Sequence, residues 1–113
     1  MQCEMKLKQP YYDLMKTKIK TYEIRLFDEK RQKLSVGDVI VFKNDSNLEE
    51  SFQAVVVDLL KFPTFAIMLE SLNFNQIGMS GKSKQEIENI YHEFYSKEEE
   101  QKYVVLAIKV KVI

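Results

Sequence analysis

The chain has 113 residues, of which 45% are hydrophobic and 30% charged, with three Gly, two Pro and one Cys. That length predicts one domain spanning 1–113 with a real core, and the composition leaves no room for disorder or low complexity. The formal net charge of zero argues against a broad basic surface for nucleic acid, though not against a small charged cleft. A lone Cys3 excludes an internal disulfide and suits a reducing compartment, so the expected location is cytoplasmic. No signal peptide is evident, and no apolar run approaches the roughly 20 residues that a membrane span requires, so no membrane association is expected.

Residues 2–8 alternate. Cys3, Met5 and Leu7 share one face, with Gln2, Glu4, Lys6 and Lys8 on the other, which predicts a first strand. Pro10 opens a short helix at a position where its missing N–H is harmless. Tyr11, Leu14 and Met15 form its apolar side, and Tyr11 and Tyr12 are each open to a core or a stacking role. Residues 20–27, Lys-Thr-Tyr-Glu-Ile-Arg-Leu-Phe, read as a second strand. Tyr22, Ile24 and Leu26 share one face; Glu23 and Arg25 share the other, with Lys20 at its start. Side chains two apart on a strand stand about 6.6 Å apart, so a ligand bridging Glu23 and Arg25 would meet an acceptor and a planar donor fork together. An ordinary charged surface remains the competing reading, because exposed pairs of this kind are common and weak.

A charged excursion, 28–33, precedes the turn Ser35-Val36-Gly37-Asp38 and the apolar strand Val39-Ile40-Val41-Phe42. A polar loop at 44–47 leads to a strand over 52–60, whose near-continuous apolar run predicts burial on both faces. Phe65, Met68, Leu69 and Leu72 have helical spacing, and 73–82 is irregular. Ser83 and Glu86 form a capping-box signature ahead of a helix whose stripe is Ile87, Ile90, Tyr91 and Phe94. Lys97 to Glu100 should end that helix in solvent, and His92 should be a solvated surface residue. A last strand is expected over 103–113, with Lys109 and Lys111 on a solvent or edge face.

Strands in runs rather than regular βαβ units point to an α+β fold, a small mostly antiparallel β-barrel with peripheral helices. A long strand at each end suggests that the termini pair or lie close. One His and one Cys cannot build the usual nitrogen/sulfur zinc site. There is no phosphate-cradling glycine loop and no nucleophile elbow. No metal and no cofactor is therefore expected, and the candidate residues reduce to Lys20, Glu23 and Arg25, with Tyr11 as a stacking neighbour.

These residues carry a resemblance. The pattern K-x-x-E-x-R at Lys20, Glu23 and Arg25, followed by Gly37-Asp38-Val39-Ile40-Val41-Phe42, resembles the signature of the ASCH domain family of the PUA-like superfamily. Phe62-Pro63-Thr64-Phe65 and Tyr103 to Ile108 are similar to its short prokaryotic members. The resemblance implies a PUA-like β-barrel with a cleft floored by Lys20, Glu23 and Arg25, and binding of RNA or of a modified nucleoside or nucleotide. A short bacterial branch hydrolyses N4-acetylcytidine with a Lys, a Thr and a Glu. Here Lys20 matches the lysine, Glu23 stands at the threonine's position, and Glu70 falls near the second acidic residue. On that alternative Lys20 and Glu23 would be catalytic. A third reading is a protein-interaction module without a small ligand. The oligomeric state is not legible in the sequence.

Overall fold

The computed structural model describes residues 2–113, with side chains from residue 3 onward, so the expected outward placement of the Gln2 side chain lies outside what is described. Five strands form one sheet in the order β1-β3-β4-β5-β2: β1 (Gln2–Leu7), β2 (Tyr22–Leu26), β3 (Val39–Asn44), β4 (Asn47–Phe62) and β5 (Val105–Val112). The helices are α1 (Gln9–Lys16), α2 (Phe65–Ser71), α3 (Lys84–Phe94) and α4 (Lys97–Tyr103), with a 3-10 turn at Arg31–Lys33. The sheet curls into a half-barrel, the α+β architecture expected of the sequence. Only β1 and β3 are parallel, and a parallel pair needs a long crossover; α1 and β2 lie within it. The terminal strands do not pair. β1 ladders onto β3, and β5 lies between β4 and β2, so Lys109 and Lys111 stand on an interior strand, not an edge, and are exposed as expected of a solvent face.

Two cores flank the sheet. One gathers Met5, Leu7, Tyr12, Met15, Ile40, Phe42, Ala54, Val56, Leu106 and Ile108, beneath α1. The other packs Tyr22, Ile24 and Leu26 with Phe65, Met68, Ile87, Val105 and Ala107, beneath α2 and α3. β5 serves both, which is why Val105 to Ile108 are buried without alternation, while Lys109 and Lys111 further along are exposed. The run at 52–60 behaves differently. β4 is longer than the apolar stretch, its register shifts between Val56 and Asp58, and the intervening Val57 is exposed. Such a bulge bends the strand and turns one side chain outward, so Ala54 and Val56 alone are fully buried there.

α1 starts at Gln9, one residue before the expected Pro10, which sits in its first turn. Tyr12 and Met15 are its deepest residues, and Tyr12 packs on Phe52 at 5.1 Å between ring centroids. This separates the two tyrosines: Tyr12 belongs to the core, and Tyr11 is half-buried at the margin of both cores. The Ser83–Glu86 capping box is formed, with Ser83 N–H donating to Glu86 Oε1 at 2.9 Å.

The segment read as a solvated helix end is a separate helix. Ser96 and Glu99 make a second capping box that opens α4. Glu100 is only 7% exposed. Its carboxylate accepts the Phe65 N–H at 2.7 Å and meets His92 Nε2 at 2.9 Å. A buried carboxylate must be partnered, and this one is held by the first turn of α2 and by α3. His92 is accordingly no free surface residue; its ring also stands edge-on to Phe65. Val104 caps α4 with φ +61, so the final strand begins at Val105 rather than 103.

Candidate functional site

In β2 the expected alternation holds, but the charged face does not look into water. Glu23 is opposite Ile108 and Arg25 opposite Leu106, and cross-strand partners share a face. Both Ile108 and Leu106 belong to the core under α1. The charges therefore point into the inside of the curl, and the surface-charge reading fails on burial: Glu23 is 6% exposed and Lys20 3%.

The three charges form one ion cluster. Glu23 Oε1 lies 3.1 Å from Lys20 Nζ, and Glu23 Oε2 lies 2.7 Å from Arg25 Nε. Lys20 Nζ also donates to the Tyr22 carbonyl and, at 3.5 Å, to the Ile77 carbonyl. Three acceptors thus surround one ammonium, which matches its three N–H donors. Arg25 Nη2 donates to the Lys6 carbonyl at 2.9 Å. Lys6 is on β1, so this guanidinium ties together the two edge strands of the sheet. Three of its five N–H donors keep no protein partner among the described residues.

Burial and charge compete at each member. Burial pulls Lys20 below the usual lysine range, Glu23 resists, and Arg25 adds to the lowering. Burial alone would raise Glu23, but Lys20 and Arg25 outweigh it and hold the carboxyl below its ordinary range. Burial works against the Arg25 charge too, and Glu23 overcomes it, leaving Arg25 above its ordinary value. The cluster carries one net positive charge in a mostly dry place.

Above the cluster is a cavity of about 250 Å³. Tyr11, Tyr91 and Tyr95 line it, along with Ile77, Met79 and Phe94. All three phenols are raised by burial, with Glu23 adding to the rise and, at Tyr95, Arg25 opposing it, so they are neutral hydrogen-bonding rings at physiological pH. Tyr11 Oη reaches Met79 Sδ at 3.7 Å. The wall formed by Ile77 and Met79 comes from the stretch read only as irregular, and the sequence held one clue to it. Gly78 has φ +80, and a Cβ there would stand 3.0 Å from Lys20 Cδ and 3.2 Å from Tyr11 Cδ1. The glycine lets this loop approach the cluster. Lys6, Lys8 and Asp45 complete the charged part of the lining.

Lys20, Glu23, Arg25 and Tyr11, all singled out in the sequence, thus surround one cavity. Glu70 does not join them. It is exposed and pairs with Lys84 of α3 at 3.2 Å. Thr21 Oγ1 is buried without a hydrogen-bond partner, but Thr21 is not among the lining residues.

The chain matches the ASCH domain over residues 5–113. No curated protein matches it. Among solved structures it is similar to the hypothetical protein PH0355, with 34% identity, complete coverage of both chains and a TM-score of 0.88. It is also similar to protein PF0455 from Pyrococcus furiosus, with 33% identity over 100% of this chain and 98% of that one, and a TM-score of 0.81. The ASCH domain from Lactobacillus crispatus JV V101 is 16% identical with a TM-score of 0.65, over 98% of this chain and 79% of that one, and shares the fold. With the matched span covering β2, its charged cluster and every helix around the cavity, the chain belongs to the ASCH domain family.

Proposed function

We propose that the cavity binds one nucleobase-sized planar group with polar edges, from RNA or from a free modified nucleoside or nucleotide. The observation that carries this is the buried Lys20–Glu23–Arg25 cluster beneath a ring of tyrosines, in a chain whose net charge is zero. Glu23 keeps lone pairs beyond those used by Lys20 and Arg25, so it can accept from an exocyclic amine. Arg25 offers unpaired N–H donors to a carbonyl or phosphate oxygen, in a low-dielectric site where such bonds are strong. Tyrosine rings suit the faces of a base. The small volume, below the roughly 300–1,000 Å³ of drug-sized pockets, favours a single base over a larger ligand.

The cluster is built to hold rather than to turn over. An amidohydrolase needs an activated water or nucleophile, and among the described residues no Ser, Thr, Cys or His lines the cavity. Lys20 is engaged by three acceptors, Glu23 and the Tyr22 and Ile77 carbonyls, which tie its amine to the cluster. Incubation with N4-acetylcytidine is expected to release no acetate, and release that disappears in Lys20→Ala would establish the hydrolase instead.

Calorimetric titration with the four ribonucleoside 5′-monophosphates tests the binding reading. At least one should bind, and Arg25→Lys should weaken it about tenfold or more, since lysine keeps the charge but loses the fork. Absence of binding by all four, or indifference to Arg25→Lys, would leave the protein-interaction reading in its place.

A further inference from the structure

Phe94 is the one member of the α3 stripe that the core does not take. Ile87 and Tyr91 are buried, whereas Phe94, at the last residue of the helix, is 54% exposed and lines the cavity. Large aromatic side chains normally bury most of their surface, so packing gives no reason for it here. Lys8, at the start of α1, places its ammonium 4.6 Å from the Phe94 ring centroid. Lys6, whose carbonyl receives Arg25, lines the same cavity. The lining carries Lys6, Lys8, Lys20 and Arg25 against Glu23 and Asp45, two positive charges in excess, although the whole chain sums to zero. An aromatic ring next to a cation, at the exposed rim of a cavity with room for one base, is the arrangement by which proteins hold the next residue of a single strand.

We propose that Phe94 and Lys8 form an outer subsite for the nucleotide adjoining the one in the cavity, so that the ligand is a single-stranded oligonucleotide of at least two residues. The outer base stacks on Phe94 and displaces the Lys8 ammonium from the ring. Lys8 and Lys6 then meet the linking phosphate. This inference rests on the nucleotide reading of the cavity.

Titrating the intact protein with each ribonucleoside monophosphate, and with dinucleotides that extend it by uridine on the 5′ or the 3′ side, separates the two. The better dinucleotide should bind about tenfold or more tightly than its mononucleotide. Phe94→Ala should bring that ratio close to one, and Phe94→Trp should restore it. Lys8→Ala should reduce the salt slope of dinucleotide binding by about 0.7, the value of one phosphate contact on a single strand. Phe94 is half in solvent, so a melting curve close to wild type should accompany its replacement. Equal affinities for mono- and dinucleotides, or a ratio untouched by Phe94→Ala, overturns the outer subsite and leaves the cavity reading standing. Failure of both kinds of probe to bind overturns the two together.

Discussion

Glu23 faces two cations, one on each carboxylate oxygen, and its removal would strand them against each other in a buried place. Breaking a buried pair by deleting one partner costs about 3–5 kcal/mol, so Glu23→Ala is expected to lower the free energy of unfolding by that order in urea denaturation. Glu23→Gln keeps the shape and reveals the proton linkage. The native carboxyl lies below its ordinary value near 4.5. Its contribution is therefore complete above that pH and is lost as pH falls through the lower native value. Between pH 6 and 3 the wild type should lose more stability than Glu23→Gln, and parallel loss in the two would rule out this assignment. Gly78 is the second sensitive residue. Alanine there meets both an unfavourable positive φ and the Lys20 and Tyr11 side chains, so Gly78→Ala should cost about 1–3 kcal/mol and weaken whatever the cavity binds.

Among the elements, α4 depends on its caps and on one inward-pointing carboxylate. Ser96→Ala should cost about 1 kcal/mol. Glu100→Ala should cost more, about 1.5–3 kcal/mol, because the Phe65 N–H loses a charged partner. Thermal melts of both variants check the order. These two residues also show where the sequence became hard to read. The strand carrying Glu23 and Arg25, a short helix with Pro10 in its first turn and the Ser83 capping box follow from local rules, and all are found. Glu100 follows from none: in a run of three glutamates, which one turns inward depends on where α2 and α3 lie. Ile77 and Met79 belong to a stretch without periodicity, so their burial over Lys20 could not be read from spacing. Alternation gave the faces of β2 correctly, but that the charged face is buried along with the apolar one depended on how the sheet curls.

At the scale of the whole molecule, the charge is zero while the cavity lining is positive by two. Binding of a short single strand should therefore respond weakly to salt, with a log–log slope near −1.4 for about two phosphates neutralised. A slope several times steeper would require a broad basic footprint on a surface whose charges balance. No helix among the described residues is long and apolar enough to cross a membrane.

The ladder of β2 has a further consequence. Its strand partner is β5, more than eighty positions downstream by the register Glu23–Ile108. The cluster's ladder therefore remains open during synthesis until residues 105–112 have left the ribosome. Contacts of such sequence separation form slowly. A nascent chain ending before Val105 would carry all three charged residues on a strand without its partner, so the cavity proposed to bind a base is complete only when β5 closes the sheet.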